Sequence, residues 1–87
     1  MSTSEQDYEK DKLLARDADL AVRRKLAARG DVRPEILYYL VQDEAAEVRR
    51  TIAANEATPH QADQLLARDK DASVRGELAQ KIGRAHV

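Results

Sequence analysis

The sequence predicts an all-α protein: a short right-handed α-solenoid of about three two-helix repeats with a 26-residue period. Three observations carry this. Ala, Leu, Arg, Lys, Glu and Gln dominate the 87 residues, and these are the good helix formers. One phrase recurs: Ala15–Ala27 spells ARDADLAVRRKLA, Val41–Ala53 VQDEAAEVRRTIA and Ala67–Ala79 ARDKDASVRGELA. Within it, six columns hold register at intervals of 26: Leu14/Leu40/Leu66, Asp17/Asp43/Asp69, Val22/Val48/Val74, Arg23/Arg49/Arg75, Leu26/Ile52/Leu78 and Ala27/Ala53/Ala79. Chance similarity among Ala-rich helices would not keep Asp and Arg in step, and a period of this length signals a solenoid.

The repeat domain spans residues 13–81, with units at about 8–30, 31–56 and 57–81. Residues 1–12 form an N-terminal cap helix or a frayed end. The leading helix, roughly Glu5 to Arg16, is apolar only at Leu13, Leu14 and Tyr8. It carries Lys10 and Asp11 where the second unit has Ile36 and Leu37. A terminal repeat needs such a polar outer face, so Met1 is read as a genuine start. The second helix of each unit shows an i, i+4 apolar pair, Val22/Leu26, Val48/Ile52 or Val74/Leu78, with Ala one step on for close approach. Asp19 and Asp71 are N-cap candidates. Gly30 and Asn55 stand just past two C-termini, where left-handed residues are wanted. The next leading helices open at Pro34 and Pro59, with Thr58 as a cap. Their apolar stripes are Ile36, Leu37, Leu40 and Val41, then Ala62, Leu65 and Leu66. Ile82 to Val87, IGRAHV, spell one reading frame of a widely used sequencing-library adapter. They are expected not to be native, which sequencing the source DNA past the Lys81 codon would check.

The phrase D-x-D-x-x-VR-x-x-LA resembles HEAT-like repeats and the related leucine-rich-repeat-variant solenoids. LLARDADLAVRRKLA, PEILYYLVQDEAAEVRRTIAANEATP and QADQLLARDKDASVRGELAQKI together resemble the N-terminal repeats of a bacterial family catalogued as domain of unknown function 2336. The resemblance covers roughly Leu13 to Lys81. It implies an α-superhelix, usually followed by further chain, and carries no established activity. The leucine-rich-repeat-variant prototype holds a cysteine-ligated iron–sulfur cluster. This chain has no cysteine, so that cofactor is not carried over.

Composition narrows the function. Fifteen Lys and Arg against sixteen Asp and Glu give a net charge of −1, which argues against a strongly basic nucleic-acid binder. No cysteine means no disulfide and no thiolate metal site. The longest apolar run, ILYYLV, is too short for a membrane span. The N-terminus shows no secretory signal, and a cytoplasmic location is expected. His60 has no second His or spaced carboxylate to make a metal site. No Gly-rich phosphate loop and no Ser/His/Asp set is present, so no enzyme and no cofactor are expected.

Asp17, Asp43 and Asp69 with Arg23, Arg49 and Arg75 form a ladder when units stack. A residue needed in every unit serves what every unit shares, so this ladder is read as structural. Asp19/Arg23 and Asp71/Arg75 are also i, i+4 pairs. Arg24, Lys25, Arg29, Arg33 and Arg50 offer a surface basic patch, broken by Gly76. The partner-binding candidates are the second-helix positions that vary between units, Arg24, Lys25, Arg50, Thr51 and Glu77. Tyr38 and Tyr39 join them, one expected in the core and the other outward. The leading reading is a non-catalytic protein-interaction scaffold that docks another protein along its concave face. The alternatives are nucleic-acid or phosphate-backbone binding through surface Arg and Lys, and a structural N-terminal portion of a longer protein.

Overall fold

A computed structural model describes residues 4–85. It forms six helices and, among the described residues, no strand. They are α1 (Ser4–Leu14), α2 (Leu20–Ala27), α3 (Pro34–Leu40), α4 (Ala46–Ala54), α5 (His60–Leu66) and α6 (Ala72–Ala85). The expectations for residues 1–3, His86 and Val87 fall outside the described residues.

Local chemistry starts three of the six helices. Asp19 sits in extended backbone and its carboxylate accepts the Ala21 amide at 2.9 Å, satisfying one of the donors that a helix start leaves open. Asp71 does the same for α6, accepting the Ser73 amide at 2.8 Å and the Ser73 hydroxyl at 2.6 Å. Pro34 opens α3 at its first position. Pro59 departs from expectation: it is the extended residue before α5, and His60 is the first helical one. Thr58 caps nothing at that end. It is buried, and its hydroxyl donates to the Ile52 carbonyl at 2.8 Å, closing the C-terminus of α4 instead.

The C-terminal expectations are also corrected. No described residue has positive φ, so neither Gly30 nor Asn55 is a left-handed cap. Asn55 keeps φ −78° and uses its side chain, as described below. Arg23 and Arg75 make no ion pair with Asp19 or Asp71; Arg23 reaches Asp43 instead.

α4 is the central element. It packs against α2 and most extensively against α6, and it also touches α3 and α5. The chain measures 40 × 29 × 18 Å, and a thickness of 18 Å suits two layers of helices about 8–10 Å apart. Leu26, Val48, Ile52 and Val74 from one layer meet Leu37, Leu40 and Leu66 from the other, all essentially without exposed surface. Each such side chain contributes about 1.5–3 kcal/mol on burial. Ala27, Ala53 and Ala62 are likewise fully buried, where a larger side chain would hold the helices apart.

Not every apolar residue of the stripes turns inward. Leu13, Tyr39 and Leu65 occupy one column of the repeat, and all three are exposed. Tyr38 and Tyr39 are both outside, at 41% and 57% exposure, so neither enters the core. Helices of seven residues make barely two turns. The apolar residues next to a core position are then left on the flank.

α6 continues to Ala85, with Gly76 and Gly83 inside it. Nothing lies within 4 Å of a methyl group added at Gly76. Gly76→Ala is therefore expected to stabilise the fold by up to about 1 kcal/mol, through helix propensity alone. A urea titration at low protein concentration measures this, and a loss of stability would contradict it.

Candidate functional site

The conserved-register polar residues form a continuous seam. Arg23 donates through Nε at 2.8 Å and Nη2 at 3.2 Å to the two carboxylate oxygens of Asp43. Its Nη1 donates to the Asp17 carbonyl at 2.7 Å. Arg49 repeats this one unit on, to Asp69 at 2.7 and 3.3 Å and to the Asp43 carbonyl at 2.7 Å. Each arginine thus binds the turn of its own unit and, through a bidentate fork, the carboxylate of the next. Such forks are the strong form of the charged hydrogen bond. The carboxylates are filled further: Asp43 accepts the Ala45 amide and Asp69 the Asp71 amide, both at 2.9 Å. Asp43 holds the Arg23 guanidinium above its usual range, chiefly through their hydrogen bonds.

A second seam has no invariant residue. Positions 29, 55 and 81 share one column and hold Arg, Asn and Lys; positions 11, 37 and 63 share another and hold Asp, Leu and Asp. Arg29 pairs with buried Asp11 at 2.9 Å and with Asp31 at 2.9 Å. Lys81 pairs with Asp63 at 2.8 Å and donates to the Asn55 carbonyl at 3.1 Å. Where the neighbour is Leu37, the cation is replaced by Asn55, whose amide donates to the carbonyls of Ala27 and Arg29 at 2.8 and 2.9 Å. A cation beside Leu37 would lack a counter-charge, and a neutral amide does not need one. Among the described residues no buried side-chain nitrogen or oxygen lacks a partner.

The second-helix residues that vary between units lie apart from these two seams. Arg24, Arg50, Thr51 and Glu77 line one shallow cleft of about 310 Å³ together with Glu47 and Ala54. Arg24 reaches Glu47 at 3.3 Å across the α2–α4 junction, with both side chains nearly half exposed. Arg50 Nη1 donates to the Ser73 hydroxyl at 3.0 Å across the α4–α6 junction. The Thr51 hydroxyl donates to the Glu47 carbonyl at 2.9 Å. Hydrogen bonds from the Ser73 hydroxyl and amide hold the Asp71 carboxyl below its usual range at the same edge. Lys25 is exposed and is not one of the lining residues. It shares its column with Thr51 and Glu77, so that column runs from cation through neutral to anion.

Tyr39 belongs elsewhere. It lines a groove of about 250 Å³ between α1 and α3 with Tyr8, Ala15, Arg16, Glu35 and Ile36. The Arg33 guanidinium stacks 4.3 Å from the Tyr8 ring centre, a cation–π contact. The sequence reading did not anticipate this groove; Tyr8, at the register position of Pro34, shows no repeat signal.

The chain matches no protein-family model, no curated protein and no solved structure.

Of the five residues of the expected basic patch, Arg24 and Arg50 share the cleft, Arg29 pairs with Asp11 and Asp31, Arg33 covers Tyr8 and Lys25 is exposed. Among the described residues no three His, Cys, Asp or Glu side chains are placed to hold a metal ion, and no helix is long and apolar enough to cross a membrane. His60 is exposed at the start of α5, 3.4 Å from Gln64.

Proposed function

We propose that this chain is a non-catalytic protein-interaction module: a short right-handed α-solenoid of HEAT-like units, as its internal period and its resemblance suggest. Its second-helix face docks a segment of another protein. One observation carries the reading. Four of the five positions that vary between units converge on a single cleft, while the invariant Asp and Arg are spent on stacking. Solenoids recognise partners in this way, through an extended surface of unit-specific side chains on a shared frame.

The charge order gives the partner a direction. Arg24 and Lys25 lie at the α2 end and Glu77 at the α6 end. A bound segment would carry an acidic residue towards α2 and a basic one towards α6. The same mixture disfavours a nucleic-acid backbone, since Glu47 and Glu77 line the cleft that a phosphate run would have to enter.

Selecting peptides from a random display library on the immobilised chain tests this. Selected peptides should show the acidic-to-basic order, and the Lys25→Glu/Glu77→Lys variant should select the reverse. Selection of no peptide, or of the same pattern by the variant, would refute the reading. Binding of a random oligonucleotide that collapses steeply with salt would favour the nucleic-acid alternative.

A further inference from the structure

We propose that the groove between α1 and α3 is a second docking site, which takes a protein segment carrying an aromatic side chain beside a carboxylate. It lies among the leading helices, apart from the cleft of α2, α4 and α6. α1 packs on α2 and α3 on α4, so these two leading helices flank a channel instead of closing on each other. Buried Ala15 and Ile36 form its floor, and Tyr8 and Tyr39 its walls. The Arg33 guanidinium lies 4.3 Å and the Lys12 ammonium 5.2 Å from the Tyr8 ring centre, so two cations hold that wall in place. The groove is internal to the chain: both walls lie inside the sequence, while the last helix, α6, packs on α4 and α5.

Size and charge name the occupant. At about 250 Å³ the groove falls below the roughly 300–1,000 Å³ of pockets that enclose a whole small molecule, so it suits one large side chain. Tyrosine walls over an aliphatic floor match an aromatic ring, packed offset or edge to face. The rim is cationic on balance, Lys12 and Arg16 against Glu35. Lys12 already has Glu9 at 3.5 Å. Arg16 is exposed and makes no ion pair among the described residues. It stands where the groove opens into a polar hollow of about 450 Å³, which shares Ala15, Arg16 and Tyr39 with it. A ring seated between the tyrosines therefore brings a neighbouring carboxylate to the Arg16 guanidinium, whose fork suits that group. Glu35 on the α3 rim, with Asp17 and Glu44 in the hollow, repels a polyanion and leaves room for a single negative charge. The hollow also lets main chain continue past the anchor, which a protein segment requires and a free aromatic acid does not.

Heteronuclear NMR titration of the isotope-labelled full chain with capped peptides tests the proposal. The probes carry Trp-Glu or Glu-Trp between glycine and serine residues, with Trp-Gln and Ala-Glu peptides as controls and indole acetate as the free acid. Binding of the Trp-Glu or Glu-Trp probe is expected at a Kd of about 1 mM or tighter. The amide signals of Ala15, Ile36 and Tyr39 should move while those of Thr51, Ser73 and Glu77 stay, which separates this site from the second-helix cleft. Exchanging the glutamate for glutamine should weaken binding about threefold or more. Arg16→Gln should weaken the glutamate peptide by the same factor and leave the glutamine peptide unchanged. Tyr39→Ala should weaken both at least about fivefold. Both positions are exposed, so each variant is expected to keep the fold. No movement at about 5 mM peptide, movement centred on Ser73 and Glu77, or equal binding of the glutamate and glutamine peptides would overturn the proposal. So would indole acetate binding more tightly than the peptides.

Discussion

Replacing Arg49 with alanine is expected to destabilise the protein by about 3 kcal/mol, which for a domain of this size lowers the melting temperature by roughly 12–24 °C. The Arg49 and Asp69 side chains are each only 8% exposed. Removing the guanidinium leaves a buried carboxylate with only the Asp71 amide, and it also frees the Asp43 carbonyl. The cost is thus mostly that of the stranded anion. The control is Arg75→Ala, identical in register but exposed, which at low protein concentration should cost under about 0.5 kcal/mol. Thermal unfolding followed by circular dichroism measures both. Equal effects at the two positions would mean that the seam stabilises nothing beyond each unit's own turn.

Lys81→Ala should cost about 2 kcal/mol, although no invariant pattern marks position 81. Its ammonium is held by Asp63 and the Asn55 carbonyl, with side-chain exposures of 9% and 18% for the ion pair. Combining Lys81→Ala with Asp63→Ala should recover part of the loss, since the stranded carboxylate is then gone. A urea titration of the two variants gives the comparison. A single variant within about 0.5 kcal/mol of the wild type would show the pair to be solvated in effect.

These two residues mark the limit of what the sequence discloses. Arg49 is legible because its rung repeats the same residue types, so comparing the chain with itself finds the ladder. The register does not say which carboxylate each arginine takes: Arg23 has Asp19 four residues before it, yet it pairs with Asp43 of the next unit, as Arg49 does with Asp69. Lys81 is not legible in this way because its column changes identity, Arg29 to Asn55 to Lys81. The rule lies in the pairing with Asp11, Leu37 and Asp63, which appears only when two columns are compared. Caps at helix starts were readable at Asp19 and Asp71, where the side chain serves an amide two residues away. Asn55 and Thr58 escape such a rule because their partners, Ala27, Arg29 and Ile52, lie outside the window that a capping rule inspects. For the candidate site, the variable second-helix positions can be read by elimination, and four of the five line one cleft while Lys25 does not. The tyrosines could not be placed, because a two-turn helix leaves the inward face ambiguous by one residue.

The forward reach of each arginine has a consequence for how such a chain can evolve in length. Arg23 finds Asp43 and Arg49 finds Asp69, each twenty residues ahead. A one-residue insertion within α3 or α5 would carry the carboxylate away from a fork already fixed on its own turn. Duplication or loss of a whole unit leaves the interior arginines with an aspartate at the same distance. A seam of this kind is therefore compatible with growth and shrinkage in steps of 26 residues and resists smaller steps within the helices, while the loops that lead into α3 and α5 lie inside the two spans and can absorb a residue by bulging.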